Sequence, residues 1–157
     1  MNPSVIEGGR CNCAALRKAS RRLTQLYDAA LLPAGLKSTQ YAMLVEIERR
    51  ASAPPTIGDL ADALVMDQST FGQNLRPLER EGLVSLEHDP NDRRRRQVKL
   101  TRKGKARLTV AEPLWSDAQA RFEDAFGKQN AASLRAMLSD IARTDALKTD
   151  EATLPRS

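Results

Sequence analysis

The fold is most readily recognised from residues 56–104, TIGDLADALVMDQSTFGQNLRPLEREGLVSLEHDPNDRRRRQVKLTRKG. Apolar residues recur there at three- and four-residue steps, which predicts a short helix over residues 57–64 and another over 68–81. Thr56 and Asp67 stand before these helices as N-caps, and Gly82 stands where a glycine commonly ends a helix. About three residues join the two helices, which is the spacing of a helix-turn-helix.

The pattern then changes to an alternation of apolar and polar residues, which indicates a β-hairpin. We expect one strand over residues 83–88 and its partner over 97–100, with residues 89–92 in the turn between them. Thr101 follows as the N-cap of a long helix. These residues therefore predict a mainly α fold with a small β-hairpin wing.

Helical periodicity continues on both sides of this region. It predicts a first helix within residues 11–32, a second beginning after Ser38 or Thr39 as its cap, and two more over 105–127 and 130–147. We expect one domain over residues 1–157, with a winged helix-turn-helix at 38–104 and a helical dimerisation region at 11–32 and 105–147. The terminal helices carry long apolar stripes that the small winged part cannot bury alone, which favours a homodimer.

The composition excludes several classes of function. The 157 residues include one histidine and two nearly adjacent cysteines, which are too few candidate side chains for a Cys/His metal site or a Ser-His-Asp centre. We therefore expect no enzyme, no metal and no cofactor. No apolar run approaches the roughly 18 residues of a membrane span, and the N-terminus lacks the apolar core of a secretion signal. The expected location is the cytoplasm, with no membrane partner.

Positive charge is concentrated in the predicted hairpin and just after it. Between Asp89 and Arg107 there are nine Lys and Arg residues against two Asp, an excess larger than the net charge of +5 of the whole chain. Consecutive arginines repel one another unless an anion lies nearby, and arginine is the side chain that enters a narrow minor groove. The wing residues expected to contact double-stranded DNA are Asp92, Arg93, Arg94, Arg95 and Arg96.

The second helix of the pair carries hydrogen-bonding side chains on the face opposite its apolar residues. They are Gln68, Ser69, Thr70, Gln73, Asn74 and Arg76. Side chains of this kind can read base edges in the major groove, where Gln or Asn pairs with adenine through two hydrogen bonds. We expect these residues to bind DNA, whereas Asp67 is expected to cap the helix.

Three motifs resemble those of the MarR family of winged-helix transcriptional regulators. They are Asp89-Pro90-Asn91-Asp92-Arg93-Arg94, Leu100-Thr101-Arg102-Lys103-Gly104 and Leu78-Glu79-Arg80-Glu81-Gly82-Leu83-Val84. The resemblance covers about residues 12–145 and implies a homodimer on a pseudo-palindromic operator. It also implies that Arg94 enters the minor groove with Asp92 as its acidic partner. The major-groove face that it implies consists of Ser69, Thr70, Gln73 and Asn74.

The resemblance further implies a response to a small phenolic or lipophilic ligand, or to oxidants. The ligand pocket of the family lies between the dimer base and the winged part, and the candidate lining residues here are Tyr27, Leu31, Tyr41, Trp115 and Phe122. Plain core packing is the alternative interpretation for each of them. We predict a DNA-binding repressor released by a small-molecule effector, and an architectural nucleic-acid-binding protein without effector control is an alternative.

Cys11 and Cys13 suggest another alternative, a thiol-based redox regulator that responds to hydroperoxide. Both lie at the predicted start of the first helix, where the helix dipole favours the thiolate. The segment from Cys13 to Tyr27 resembles the same helix of hydroperoxide-sensing family members, which keep this cysteine–tyrosine spacing. Those sensors carry a second tyrosine where this chain has Arg17. The competing interpretation of Cys13 is a small apolar residue in the dimer base.

Overall fold

The computed structural model describes residues 11–148, which form helices and one antiparallel hairpin. The elements are α1 (Asn12–Leu31), α2 (Ser38–Arg49), α3 (Ile57–Ala63), α4 (Gln68–Arg80), β1 (Val84–His88), β2 (Arg96–Leu100), α5 (Arg102–Phe126) and α6 (Lys128–Arg143), with 3-10 turns at Leu32–Ala34 and Asp145–Leu147. The predicted mainly α fold with a hairpin wing is confirmed. None of the helices in the described part combines the length and the apolar character needed to cross a bilayer.

The described residues fall into two compact units that divide after Ala118. The first unit contains the elements from α1 to β2 and the beginning of α5. The second contains the end of α5 and all of α6. The grouping of residues 1–157 into one domain, with its winged part at 38–104, stays a prediction, and its two ends lie outside the described residues.

The core of the first unit lies among α2, α3, α4 and the hairpin. Its fully buried side chains include Leu31, Met43, Leu44, Leu60, Phe71, Leu78, Leu83 and Val98. Burying a side chain of this size contributes about 1.5–3 kcal/mol. Because Phe71, Leu75 and Leu78 share one stripe of α4, their burial holds the opposite stripe of that helix toward solvent.

The two helices of the helix-turn-helix, α3 and α4, have the predicted N-caps Thr56 and Asp67. The Thr56 Oγ1 atom accepts a hydrogen bond from the Asp59 N–H at 3.2 Å, and the Asp59 carboxylate accepts one from the Thr56 N–H at 2.9 Å. The Asp67 carboxylate accepts a hydrogen bond from the Thr70 N–H at 2.7 Å. Between the helices, Val65 takes a left-handed conformation with φ 53°, which is uncommon for a β-branched residue.

The start of α2 differs from the prediction. The helix begins at Ser38, so its N-cap is Lys37 and not Ser38 or Thr39. The Gln40 Oε1 atom accepts a hydrogen bond from the Lys37 N–H at 2.9 Å. The backbone N–H and the hydroxyl of Ser38 both donate to the Asp28 carboxylate, at 2.7 and 2.6 Å, which ties α2 to α1. A tertiary contact therefore occupies the side chain that was expected to cap the helix.

Both strands of the hairpin differ from the prediction by one residue at the start. The strands pair from Val84↔Leu100 to His88↔Arg96, so β1 starts one residue later than expected and β2 one residue earlier. The Asp89 N–H donates to the Arg95 carbonyl at 2.9 Å, which extends the pairing beyond the last register pair. The loop at the wing tip therefore spans residues 89–95 and contains the predicted turn residues 89–92.

A short backbone pairing outside the hairpin attaches the wing to the helix-turn-helix. Gln97 pairs with Thr56, and the Val98 N–H donates to the Pro55 carbonyl at 2.8 Å. The segment that leads into α3 therefore forms a third short edge beside β2.

The N-terminus of α5 is fastened to the beginning of the wing. The Thr101 N–H donates to the Leu83 carbonyl at 3.1 Å, and the Thr101 hydroxyl donates to the Gly82 carbonyl at 2.6 Å. The same hydroxyl oxygen accepts a hydrogen bond from the Gly104 N–H at 3.1 Å, which makes Thr101 the predicted cap. A Cβ atom on Gly104 would overlap the Leu83 carbonyl oxygen. The Leu-Thr-x-x-Gly motif thus holds α5 against the wing.

Candidate nucleic-acid interface

A groove between α4 and the wing brings together most of the predicted base-reading side chains. Its volume is about 380 Å³, and its lining includes Gln68, Ser69, Gln73, Arg76, Leu86 and Arg96. Leu86 and Arg96 come from neighbouring strands of the hairpin. The structure therefore separates Arg96 from the other three arginines of the run, because Arg96 belongs to β2 and lies beside the exposed face of α4.

Two of the predicted base-reading residues of α4, Thr70 and Asn74, differ from the others in hydrogen bonding or in exposure. The Thr70 hydroxyl donates its single proton to the Asp67 carboxylate at 2.6 Å, so toward DNA it can act only as an acceptor. Asn74 is half-buried and does not line the groove. The exposed hydrogen-bonding face of α4 is consequently narrower than the sequence predicts.

The cap of α4 remains ionised to low pH. The pKa of Asp67 is lowered because its carboxylate accepts hydrogen bonds from the hydroxyl and then from the backbone N–H of Thr70. The pKa of Asp59 in α3 is lowered in the same way, chiefly by the backbone N–H of Thr56. Asp67 thus caps the helix, as predicted.

Backbone hydrogen bonds shape the wing tip. The Asp92 carboxylate accepts a hydrogen bond from the Arg94 N–H at 3.0 Å, and the Asp92 carbonyl accepts one from the Arg95 N–H at 2.9 Å. The Nδ1 atom of His88 lies 2.9 Å from the Arg93 carbonyl oxygen. Within residues 11–148 no ion pair joins Asp92 to an arginine guanidinium. Asp92 therefore positions the Arg94 backbone and not its side chain.

The contact of His88 with the wing tip is absent from the sequence-based predictions. Its ring reaches the tip only because the strands pair as far as His88↔Arg96, and the predicted strand ends left that register open. A histidine at the end of a strand facing an arginine run is the one signal that could have suggested it.

The excess of positive charge is not spread evenly along the segment from Asp89 to Arg107. Lys99 pairs with Glu87 at 2.6 Å, Lys105 with Glu48 at 3.6 Å and Arg107 with Glu81 at 3.5 Å. The Lys103 ammonium donates to the Glu81 carbonyl at 2.6 Å. Within the described part, the exposed arginines of this segment without an ion pair are Arg93, Arg94, Arg95, Arg96 and Arg102. The charge available to an external anion is thus centred on the wing.

Gln73→Ala is expected to relax sequence preference more than it weakens overall DNA binding. Gln73 is exposed in the groove and can form two hydrogen bonds with a base edge, whereas phosphate contacts carry no sequence information. We expect discrimination at one operator position to fall by about 1–3 kcal/mol. Competition binding with single-base operator variants measures this loss. Unchanged discrimination at every position would remove Gln73 from the base-reading face.

The candidate effector residues have different surroundings within their own units. Tyr41 and Trp115 stack with ring centroids 6.0 Å apart and an interplanar angle of 22°. Leu31 is 0% exposed and belongs to the core, as the alternative interpretation of plain core packing expects. Tyr27 is half-buried on α1. Phe122 lies in the second unit and stacks on Phe126 at 5.3 Å.

A separate cleft of about 440 Å³ lies between α2 and the first turns of α5. Tyr41 lines it, together with Val45, Glu48, Lys105, Leu108 and Glu112. Its volume lies within the usual range of small-molecule sites, about 300–1,000 Å³. Of the five candidate pocket residues, only Tyr41 borders this space.

Both cysteines lie at the start of α1, as predicted, and their thiols are free and exposed. The Cys11 sulfur accepts a hydrogen bond from the Ala14 N–H at 3.4 Å and caps the helix. Cys13 lies in the first turn. In residues 11–148, no group of three or more His, Cys, Asp or Glu side chains is arranged to hold a metal ion.

Comparison with known proteins gives a consistent set of relatives. A family model described as "MarR family" matches residues 34–95. Transcriptional regulator HosA of Escherichia coli O111:H- is 36% identical over 117 residues, and the alignment covers 69% of this chain and 83% of HosA. HTH-type transcriptional repressor NicR of Pseudomonas putida KT2440 is 32% identical over 123 residues, 78% of this chain and 75% of NicR.

Solved structures share the fold over most of the chain. The transcriptional repressor CouR of Rhodococcus jostii RHA1, bound to a 23-mer DNA duplex, superposes with a TM-score of 0.79 at 26% identity. The alignment covers 91% of this chain and 100% of CouR.

Proposed function

This chain belongs to the MarR family of DNA-binding transcriptional regulators, and we propose that it is a repressor that leaves its operator when a small effector binds. The observation that carries the DNA-binding part is the groove that joins the exposed face of α4 to an arginine-rich wing. NicR and CouR are both named as repressors, which supports repression rather than activation of transcription.

In the proposed complex, α4 and the wing contact different parts of the DNA. The exposed face of α4 enters the major groove, where Gln68, Ser69 and Gln73 meet base edges. The wing tip carries Arg94 to the minor groove, where negative potential is concentrated. Arg96 flanks α4 and binds the phosphates beside it. Phosphate contacts then supply affinity, and the face of α4 supplies specificity.

The proposed working unit is a homodimer. In the first unit α1 leaves Leu16 44% exposed, and in the second unit α6 leaves Met137 56% and Ile141 50% exposed. Apolar surface of this kind favours association. Two-fold symmetry then requires a pseudo-palindromic operator whose half-sites lie about 34 Å, one helical turn, apart.

Nuclease footprinting on DNA from around the gene tests this proposal. We expect one discrete protected palindrome, and light scattering of the same sample should give twice the chain mass of 17.3 kDa. An architectural protein would instead protect DNA diffusely along its length. A monomeric mass with full operator binding would contradict the dimer and leave DNA recognition standing.

Effector control is supported by the cleft beside Tyr41. It lies between α2, which belongs to the proposed DNA-binding part, and α5, which leaves the wing at Thr101. A ligand held between these helices would contact both of them. Binding that favours one arrangement of α2 and α5 over another would change the population able to bind DNA.

Thiol-based control is the second candidate, and the exposure of both thiols at the start of α1 supports it. If Cys13 is the sensor, stoichiometric cumene hydroperoxide should release wild-type protein from its operator and leave Cys13→Ser bound, because the variant cannot form a sulfenic acid. A gel-shift titration measures the release, with Cys11→Ser as the matched control. Equal release of wild type and Cys13→Ser would remove the redox mechanism.

A further inference from the structure

We propose that the cleft between α2 and α5 binds a small organic cation, a protonated amine on an apolar or aromatic body. The inference rests on the proposed effector control and adds the chemical class of the ligand. It follows from the ion pairs of the basic side chains around the cleft, from polar side chains that have no partner within residues 11–148, and from the apolar surface between them.

Both basic side chains that line the cleft, Lys105 and Arg49, have a carboxylate partner. Lys105 pairs with Glu48 across the cleft at 3.6 Å. Arg49 pairs with Glu46 on its own helix at 3.1 Å. Although burial opposes the shift, hydrogen bonds with Arg50 and Arg49 lower the pKa of Glu46 and keep this pair charged. An anionic ligand at this cleft would compete with the Glu46 and Glu48 carboxylates for these cations.

Glu112 is the exception among the charged residues of the cleft. It lies on α5, and within residues 11–148 its carboxylate forms no ion pair and accepts no hydrogen bond from a side chain. An exposed carboxylate with no internal partner is free to bind an external cation. A ligand carboxylate or phenolate in the same cleft would instead be repelled by Glu112.

Tyr41 adds a second polar group close to this carboxylate. Its pKa is raised, first by burial and second by the negative charge of Glu112, so the phenol keeps its proton. Its hydroxyl has no hydrogen-bond partner within the described residues. A primary ammonium, which carries several donors, can therefore bind the Tyr41 oxygen and the Glu112 carboxylate together.

The rest of the cleft suits an apolar body. Leu108 and Val45 line it beside the half-buried ring of Tyr41, which Trp115 supports by stacking. An aromatic wall also attracts a cation directly. A carboxylate at one end and an apolar surface beside it match an aryl-alkyl amine better than an inorganic ion or a polyamine.

A pair of matched probes tests the charge preference. Phenethylamine and 3-phenylpropanoate share the same apolar body and differ in the sign of the terminal charge. Isothermal titration of the full chain at fixed ionic strength should show the amine binding at least about tenfold more tightly, as expected for one charge-assisted hydrogen bond. Equal or tighter binding of the acid, or no binding of the amine up to about 10 mM, would overturn the proposal.

Two single substitutions in α5 test whether Glu112 causes the preference for the amine. Glu112→Gln should weaken the amine about tenfold and abolish the preference over the acid, because it removes the unpaired charge. Asp117→Asn removes a carboxylate from an exposed position on the same helix and should bind like wild type. A Glu112→Gln protein that keeps the preference would overturn the assignment.

Operator release separates this inference from the proposed function. Binding of phenethylamine through Glu112 without release of operator DNA would uphold the cation site and contradict effector control through it. Release of DNA by the acid, unaffected by Glu112→Gln, would uphold effector control and contradict the cation site.

Discussion

Replacing Gly104 by alanine is expected to destabilise the first unit strongly. Gly104 lies in the first turn of α5, against the backbone at the start of the wing, and a Cβ atom there would overlap the Leu83 carbonyl oxygen. That carbonyl already accepts the Thr101 N–H, so neither partner can move without breaking the attachment of α5. We expect a loss of about 3 kcal/mol or more, the upper range for overpacking.

Urea unfolding followed by circular dichroism measures this loss. Gly72→Ala is the matched control, because Gly72 stands inside α4 and a Cβ atom added there would meet nothing within 4 Å beyond its own helix. Alanine there should stabilise the protein by about 0.5–1 kcal/mol, since glycine is a poor helix former. A Gly104→Ala protein that unfolds at the wild-type urea concentration would contradict the close approach of α5 to Leu83.

The elements that the sequence predicted correctly depend on local signals. Thr56 and Asp67 cap their helices through hydrogen bonds to residues three positions away, so the signal and the structure lie in the same short segment. The buried face of α4 follows in the same way from the spacing of Phe71, Leu75 and Leu78. Propensity and periodicity are sufficient where partners are close in sequence.

The elements that were missed depend on partners distant in sequence. Ser38 is bound by Asp28, and the Pro55 carbonyl pairs with Val98 from the wing. No local pattern predicts either contact. The one-residue differences at the strand starts have a related cause, since they depend on how the two strands pair with each other.

The candidate DNA-binding site was also predicted only where its signal is local in sequence. The concentration of positive charge near the hairpin was visible in the sequence, but its distribution was not. Lys99, Lys105 and Arg107 are paired with carboxylates that come from other parts of the first unit. Only the three-dimensional arrangement shows that the free charge is centred on the wing and that Arg96 belongs with α4.

Arg94→Ala is expected to weaken operator binding by about tenfold or more at physiological salt. Arg94 is exposed at the wing tip, and within residues 11–148 its side chain forms no ion pair, while the Asp92 carboxylate accepts a hydrogen bond from its backbone N–H. The backbone that carries the guanidinium is therefore ordered before DNA binds, which limits the entropy lost on binding. The slope of log affinity against log salt should also fall by about one unit, as one cation no longer displaces counterions.

Fluorescence anisotropy of labelled operator over a salt series measures both quantities. Arg121→Ala is a charge-matched control, because it removes one exposed arginine from α5 outside the wing and α4, and it should retain the wild-type affinity and slope. Asp92→Asn tests how Asp92 acts. The amide oxygen can still accept the Arg94 N–H, so binding should equal or exceed that of wild type. A large loss in Asp92→Asn would instead require a guanidinium–carboxylate pair in the DNA complex, and wild-type binding by Arg94→Ala would refute the assignment of the wing arginine.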